Sequence, residues 1–300
     1  MTTSPWQGIF PALTTPFQPD FSLDEETLVK QIQFQIHAGV HGLVMVGTLG
    51  ENGSLSLDEK LRVVELAVQT ADGKIPVLAG VAETTTRGAC LFAEQVARRG
   101  ASGLMLLPAM QYVSDRRETL THYRTVARAT DLPIMIYNNP VSYGVDITPD
   151  MLAELAEMPQ FVAVKESSAD VRRITDIYTT VGDRFQLFIG VDDLALEAFA
   201  AGAVGWVAGL VCAFPRETIR LWEFCRNGQW EQARRLYRWF APLLHLDAST
   251  RLVQNIKLVE SLVGVGTETV RPPRLPLEGA EREQVIQLVT RALQNRPNLD

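Results

Sequence analysis

Eight short apolar runs, separated by longer amphipathic stretches, constrain the fold of this chain more than any other feature. Each run is continuously apolar rather than alternating, which is typical of strands buried on both faces of a parallel sheet. The stretches between them are long enough for helices that cross over such a sheet. The runs are GIFPALTTPF, GLVMVGT, IPVLAGV, SGLMLLP, LPIMIYNN, FVAVKES, FQLFIGV and VGWVAGL.

A repeated junction precedes three of these runs and sets the order of the elements. In each case a helical stretch ends at a glycine, and a second glycine three residues later begins the apolar run. A glycine at a helix end suits the left-handed conformation that stops a helix. Eight such βα units predict a (β/α)8 barrel over residues 1–226, followed by a C-terminal helical extension over residues 227–300. The glycine pairs are Gly39 and Gly42, Gly100 and Gly103, and Gly202 and Gly205.

Two helix starts carry the signature of a capping box. Ser22 stands three residues before Glu25, and Ser56 stands three residues before Glu59. In this arrangement the serine accepts from the backbone of the third helical residue, whose side chain bonds back to the serine backbone. We therefore expect helices to begin after Ser22 and after Ser56.

Composition and charge argue against several classes of protein. The net charge is −7 with acids and bases mixed along the chain, and no basic cluster with aromatics predicts a nucleic acid partner. No apolar run reaches the roughly 20 residues of a membrane helix, and no signal-like segment predicts export. The three cysteines are scattered, which favours a reduced, cytoplasmic setting. His37 and His41 are four residues apart but lack the context of a metal site, so no metal is predicted.

The ends of the predicted strands carry the candidate catalytic residues. In (β/α)8 barrels the active site gathers at the C-terminal ends of the strands. Thr48 follows the second run, Tyr137 ends the fifth and Lys165 ends the sixth, while Gly190 and Asp192 follow the seventh. The barrel would therefore bring these residues together although they are far apart in sequence.

Lys165 is the strongest of these candidates. A free lysine has a pKa of about 10.4, but desolvation at the mouth of an apolar barrel would lower it and free the amine. A neutral amine can attack a carbonyl or imine carbon and form a Schiff base. Tyr137, on the neighbouring strand, could move the protons that this chemistry needs. The alternatives are a solvated lysine and an ordinary aromatic residue at two strand ends.

The turn from Gly47 to Leu55 is a candidate anion site. Its glycines allow backbone N–H groups to face a ligand, and the helix expected after Ser56 adds a favourable dipole. The turn lacks the lysine and spacing of a phosphate-binding loop, so a substrate carboxylate is the better match. The alternative is a purely structural turn between a strand and a helix.

Three motifs together resemble the dihydrodipicolinate synthase / N-acetylneuraminate lyase family. They are Gly47-Thr48-Leu49-Gly50-Glu51, Tyr137-Asn138-Asn139-Pro140 and Lys165-Glu166, in the order and spacing of that family. The resemblance covers nearly the whole chain. It implies a (β/α)8 barrel with extra C-terminal helices, a homotetramer built as a dimer of dimers, and no metal or organic cofactor.

The resemblance also implies roles for individual residues. Lys165 would be the Schiff-base nucleophile, Tyr137 the proton-handling phenol, and Thr48 a support for the proton relay. The substrate would contact the turn after the second strand and the ends of the seventh and eighth strands, at Gly47, Leu49, Gly50, Gly190 and Val207.

Three departures from the synthases of this family bear on the substrate. Synthases carry a second threonine where this chain has Leu49. They also carry a second tyrosine, contributed across a subunit interface, where this chain offers Met110 or, two residues later, Tyr112. After the YNxP motif they place an arginine for a second carboxylate, whereas Ser142 and Tyr143 follow here.

These departures favour a single small 2-oxo acid or cyclic imino acid as substrate. Within the family, the resemblance leans towards the deaminase of 1-pyrroline-4-hydroxy-2-carboxylate in hydroxyproline breakdown, which yields 2-oxoglutarate semialdehyde, water and ammonia. Asn139, Ser142 and Tyr143 would then face the substrate hydroxyl. The alternatives are 4-hydroxy-tetrahydrodipicolinate synthase, which condenses pyruvate with aspartate semialdehyde, a 4-hydroxy-2-oxo acid aldolase, and a non-catalytic 2-oxo acid-binding protein.

Overall fold

The eight apolar runs form eight parallel strands in one sheet. A computed structural model describes residues 6–109 and 111–299. The strand order is β1-β8-β7-β6-β5-β4-β3-β2, and a parallel bridge between Ala12 and Val44 brings the two ends of the sheet together. The strands are β1 (Gly8–Pro11), β2 (Leu43–Met45), β3 (Val77–Val81), β4 (Gly103–Leu106), β5 (Ile134–Asn138), β6 (Phe161–Glu166), β7 (Gln186–Ile189) and β8 (Gly205–Ala208).

Helices alternate with these strands, which confirms the predicted (β/α)8 barrel. Among the described residues, three helices follow residue 226, after which the sequence predicts the C-terminal extension to begin. In the part of the chain that the structure describes, no helix is both long and apolar enough to cross a membrane. The helices are α1 (Glu25–Ala38), α2 (Leu57–Ala71), α3 (Thr86–Arg98), α4 (Arg116–Arg128), α5 (Pro140–Tyr143), α6 (Pro149–Leu155), α7 (Arg172–Val181), α8 (Ala195–Ala200), α9 (Pro215–Arg226), α10 (Trp230–Leu244), α11 (Leu252–Leu262) and α12 (Gly279–Gln294).

The two glycines of each repeated junction have different structural roles, as the Gly39 and Gly205 positions show. Gly39 ends α1 with φ of +91°, a left-handed conformation that glycine adopts without strain. Gly205 begins β8 where space is short, because a Cβ there would stand 2.3 Å from the ring of Phe188. The first glycine of the pair therefore stops a helix, and the second leaves room for an aromatic ring inside the barrel.

One of the two predicted helix caps is wrong. The N-cap of α1 is Asp24, whose carboxylate accepts from the Thr27 N–H at 3.0 Å, whereas the Ser22 hydroxyl bonds to Asp20 at 2.6 Å. Asp24 directly precedes the helix and is an equally good cap, so the serine two residues earlier is left in the preceding turn. The capping box of Ser56 with Glu59 is confirmed.

A buried ion pair joins the C-terminal helices to the glycine-rich turn after β2. Lys257 of α11 is fully buried, with its Nζ 2.5 Å from Glu51 Oε1 and 2.7 Å from the Thr269 carbonyl oxygen. Glu51 also accepts from the backbone N–H of Arg271 at 3.1 Å. Burial lowers the pKa of Lys257, and the charge of Glu51 opposes that change. Glu51, within the turn, is therefore held by α11 and by the segment between α11 and α12.

Removing one partner of this pair should destabilise the fold strongly. Lys257→Met would remove the nearer cation from the buried Glu51 carboxylate and leave it only the longer pair with Arg274, at 3.9 Å. Breaking a buried pair costs about 3–5 kcal/mol in comparable sites. We expect the free energy of unfolding, measured by urea denaturation, to fall by that amount. Arg282→Gln is the control, because the half-exposed pair of Arg282 with Glu268 should contribute less than about 1 kcal/mol. An equally small loss for both variants would contradict the role given to Lys257.

Candidate active site

Lys165 lies at the C-terminal end of β6, beside Tyr137 at the end of β5. The two residues are direct partners in the register of the strands, and Lys165 Nζ lies 4.1 Å from the centroid of the Tyr137 ring. Lys165 is only 6% exposed. Burial lowers its pKa, which increases the fraction of neutral amine near pH 7. The buried amine that the sequence predicts is therefore present, next to the phenol expected to serve it.

Gly190, just after β7, makes room for this lysine. Its N–H donates to the Glu166 carbonyl oxygen at 2.9 Å, which continues the pairing of β7 with β6. A Cβ at this position would stand 2.4 Å from Lys165 Cε and 2.1 Å from Ser167 Oγ. The glycine thus contributes space beside the amine.

A chain of hydroxyl groups runs from Tyr137 to the turn after β2. The hydroxyls of Tyr143 and Thr48 share a short hydrogen bond, and the rings of Tyr137 and Tyr143 meet edge to face with centroids 5.7 Å apart. Asn139 Nδ2 donates to the Tyr137 hydroxyl at 3.0 Å. Burial raises the pKa of Tyr137, while hydrogen bonding by Asn139 and Tyr143 works against that rise. These groups can pass protons to and from an atom bound at Lys165.

The second tyrosine of the proton relay comes from a part of the sequence where no relay tyrosine was expected. Of the two residues considered for that role, Met110 lies outside the described residues, and Tyr112 is 59% exposed. Tyr143 instead lies at the end of α5, a short helix that Asn139 caps by accepting from the Ser142 N–H at 3.0 Å. The same YNNP motif therefore supplies Tyr137 and, through this short helix, Tyr143.

The remaining residues predicted to contact the substrate differ in their burial and in their position relative to the strand ends. Leu49 is buried, and Gly50 lies against the barrel, where its carbonyl oxygen accepts from Thr15 Oγ1 at 2.7 Å. Ser142 is exposed at the rim. Val207 is buried within β8, two residues before Gly209, which follows the strand end. The predicted residues that the structure brings into direct contact with one another are Lys165, Tyr137, Asn139, Tyr143, Thr48 and Gly190.

Two carboxylates complete the surroundings of Lys165. Asp192 accepts from the Trp206 indole N–H at 2.8 Å and the Leu210 N–H at 2.8 Å, and burial raises its pKa to about 6. Asp247, after α10, was not predicted, because it lies in the C-terminal extension far from any strand end. Burial lowers the pKa of Lys165, while the charges of Asp247 and Asp192 favour its protonated form.

The two histidines singled out in the sequence have structural partners. His41 Nδ1 accepts from the Ile9 N–H at 3.1 Å, and its ring packs edge-on against Trp222. His37 is bonded to the Gln33 carbonyl oxygen at 2.7 Å. Over residues 6–109 and 111–299, no group of three or more histidine, cysteine or acidic side chains could hold a metal ion.

The sequence and fold of this chain are similar to those of proteins of a known family. The sequence pattern of the Dihydrodipicolinate synthetase family matches residues 5–292. The 4-hydroxy-tetrahydrodipicolinate synthase of Natronomonas pharaonis is 35% identical over 287 residues, which cover 95% of this chain and 97% of that protein. Dihydrodipicolinate synthase from Aquifex aeolicus has a similar structure, with a TM-score of 0.91 at 29% identity over 95% of this chain and 98% of that one.

A further structure bears on the ligand. The chloride-inhibited dihydrodipicolinate synthase from Acinetobacter baumannii, solved in complex with pyruvate, gives a TM-score of 0.89 at 27% identity over 95% of this chain and 98% of that one. All of these similarities extend through the barrel and into the helices that follow it.

Proposed function

Since this chain belongs to the dihydrodipicolinate synthetase family and is a class I, Schiff-base-forming lyase, we propose that Lys165 forms the imine with pyruvate or a closely related 2-oxo acid. The observation that carries this proposal is the buried Lys165 amine against the Tyr137 ring, at the end of a hydroxyl chain. Desolvation keeps part of the amine neutral, and the phenols supply and remove protons.

Imine formation at this site needs three proton transfers. The Lys165 amine attacks the C2 carbonyl carbon, and the carbonyl oxygen takes a proton from Tyr137. The nitrogen then loses one of its two protons to the Tyr137 phenolate, which gives the neutral carbinolamine. Tyr137 passes that proton to the carbinolamine oxygen, which leaves as water while the nitrogen electron pair forms the C=N bond of the iminium ion. Tyr137 is re-protonated through Tyr143 and Thr48, whose hydroxyls are bonded to each other.

The first reaction to expect is that of 4-hydroxy-tetrahydrodipicolinate synthase, in which pyruvate is condensed with aspartate semialdehyde. Relatives of that name match this chain at 30–35% identity over nearly its whole length, and a relative of similar structure binds pyruvate. The comparisons therefore favour this activity, which the sequence left as an alternative, over the deaminase that the sequence placed first.

The second candidate is the deaminase of 1-pyrroline-4-hydroxy-2-carboxylate, and it is favoured by two departures from the synthases. Ser142 stands where synthases carry an arginine, and Leu49 stands where they carry a second threonine. Two acidic residues, Asp192 and Asp247, act electrostatically on Lys165. A substrate with one carboxylate fits these residues better than a pair of substrates with two carboxylates.

Borohydride trapping tests the shared chemistry, and product analysis separates the two candidates. Wild-type protein incubated with pyruvate or the hydroxylated pyrroline carboxylate, then reduced, should gain one adduct on Lys165 by intact mass and peptide mapping. Condensation with aspartate semialdehyde would identify the synthase, and release of ammonia with 2-oxoglutarate semialdehyde the deaminase. Release of pyruvate from a 4-hydroxy-2-oxo acid would instead identify an aldolase. Saturable binding without an adduct would contradict the enzymatic proposal and favour a 2-oxo acid-binding protein.

A further inference from the structure

A carboxylate from the C-terminal extension enters the opening of the barrel. Asp247 lies in the segment that joins α10 to α11, and its Oδ1 occupies the space beside Gly209, just after β8. A Cβ on residue 209 would stand 1.9 Å from that oxygen and 3.3 Å from Leu49 Cδ2. Asp247 therefore lies between the end of β8 and the turn after β2, both at the catalytic end of the barrel.

The segment that carries Asp247 is fastened on both sides. Before it, His245 Nδ1 lies 2.8 Å from Asp193 Oδ2. After it, Asn255 Nδ2 donates to the Leu246 carbonyl oxygen at 2.9 Å and to Ser249 Oγ at 3.0 Å. These contacts join the segment to the loop after β7 and to α11. The backbone that carries the Asp247 carboxylate is therefore fixed in position.

Asp247 and Tyr137 are both close to Lys165, but different parts of the chain carry them. In the sheet order, Tyr137 is on β5, Lys165 is on β6, and Asp247 lies over the end of β8. Asp247 is near enough to act electrostatically on both Lys165 and Tyr137. An imine formed on Lys165 would thus lie near both a phenol and a carboxylate.

We propose that Asp247 is the base that removes the C3 proton of the substrate once it is joined to Lys165; this rests on the Schiff base of the proposed function. The Asp247 carboxylate takes the proton, the C–H electron pair becomes the C2=C3 bond, and the C=N electron pair moves to the nitrogen. The product is a neutral enamine and a protonated Asp247. Condensation with an aldehyde, aldol cleavage and elimination of a 4-hydroxyl group all pass through this enamine.

The surroundings of Asp247 suit this role. Burial and the charge of Asp192 raise the pKa of Asp247, and a carboxylate of raised pKa is a stronger base. The positive iminium nitrogen would stabilise the ionised carboxylate just before the transfer. Tyr137 is already engaged with the hydroxyl chain that serves the departing oxygen.

Pyruvate alone tests this assignment, through exchange of its methyl protons in D2O followed by NMR. Wild-type protein should exchange them and give the borohydride adduct. Asp247→Asn keeps the shape of the side chain but removes the base. We expect its adduct yield to stay within about threefold of wild type, and its exchange rate to fall on the order of 10²–10⁴-fold.

A second variant moves the carboxylate without removing it. Gly209 has φ of −96°, which alanine adopts freely, so Gly209→Ala should fold. Its methyl group would displace Asp247 Oδ1, and exchange should fall while the adduct persists. Glu281→Gln, on α12 of the same extension, is the control and should match wild type in both assays.

Each other outcome overturns the assignment. Exchange at the wild-type rate in Asp247→Asn would show that another group removes the C3 proton. Parallel loss of adduct and exchange would give Asp247 a structural role, and an adduct without exchange in wild-type protein would also exclude it. Absence of any adduct in wild-type protein would refute the Schiff base itself, and this inference with it.

Discussion

Lys165→Ala is expected to abolish turnover and trapping while leaving the barrel folded. Loss of an essential nucleophile costs on the order of 10⁴-fold or more in rate. Lys165 is buried, so alanine also removes the cost of holding an amine away from water, and the fold should survive. Steady-state rates and intact-mass trapping measure the loss, and circular dichroism checks the fold.

Two further variants make the result specific. Lys165→Arg keeps a cation at the end of β6 but cannot supply a neutral amine, so it should be as inactive as alanine. Lys30→Ala removes an exposed lysine that pairs with Glu26 and should behave as wild type. If Lys165→Arg retained activity, the residue would act through its charge and the Schiff base would be refuted.

Tyr143→Phe is expected to lower kcat/KM on the order of 10²–10³-fold. The change removes one hydroxyl from the chain between Tyr137 and Thr48 and keeps the ring that packs against Tyr137. General acid–base groups contribute about this much to catalysis. Borohydride trapping with pyruvate should slow as well, because imine formation needs the same protons.

Tyr112→Phe is the matched control for this prediction. Tyr112 is exposed and lies in the region where synthases of the family carry their second tyrosine. We expect its activity to stay within about twofold of wild type, since a surface change of this kind perturbs little. If Tyr112→Phe were impaired and Tyr143→Phe were not, the assignment of Tyr143 would be wrong. Tyr112 would then be the second tyrosine of the proton relay.

The barrel could be predicted from the sequence because its strands are short, continuously apolar and separated by glycine-marked helix ends. Lys165 and Tyr137 could be predicted for the same reason: once a strand is located, the barrel rule says which end carries the chemistry. The wrong cap at Ser22 was a local error, since two good capping residues lie two positions apart.

The contributions of Tyr143 and Asp247 could not be predicted from the sequence in the same way. Tyr143 ends a four-residue helix, and only its folded position brings its hydroxyl to Thr48. Asp247 depends on how α10 and α11 pack across the end of the barrel, and no periodic pattern marks it. Residues carried by turns and extensions are positioned by packing between distant segments, which a linear pattern does not encode.

The position of Tyr143 has a consequence for how this protein depends on its own concentration. When a relay phenol is borrowed from a neighbouring subunit, dissociation of the assembly removes a catalytic group together with the interface. Here Tyr143, Tyr137 and Thr48 belong to one polypeptide and meet within it. Association into the expected homotetramer can then change stability or substrate access while the proton relay stays complete in each subunit. Diluting the protein until its subunits separate should therefore leave the relay intact.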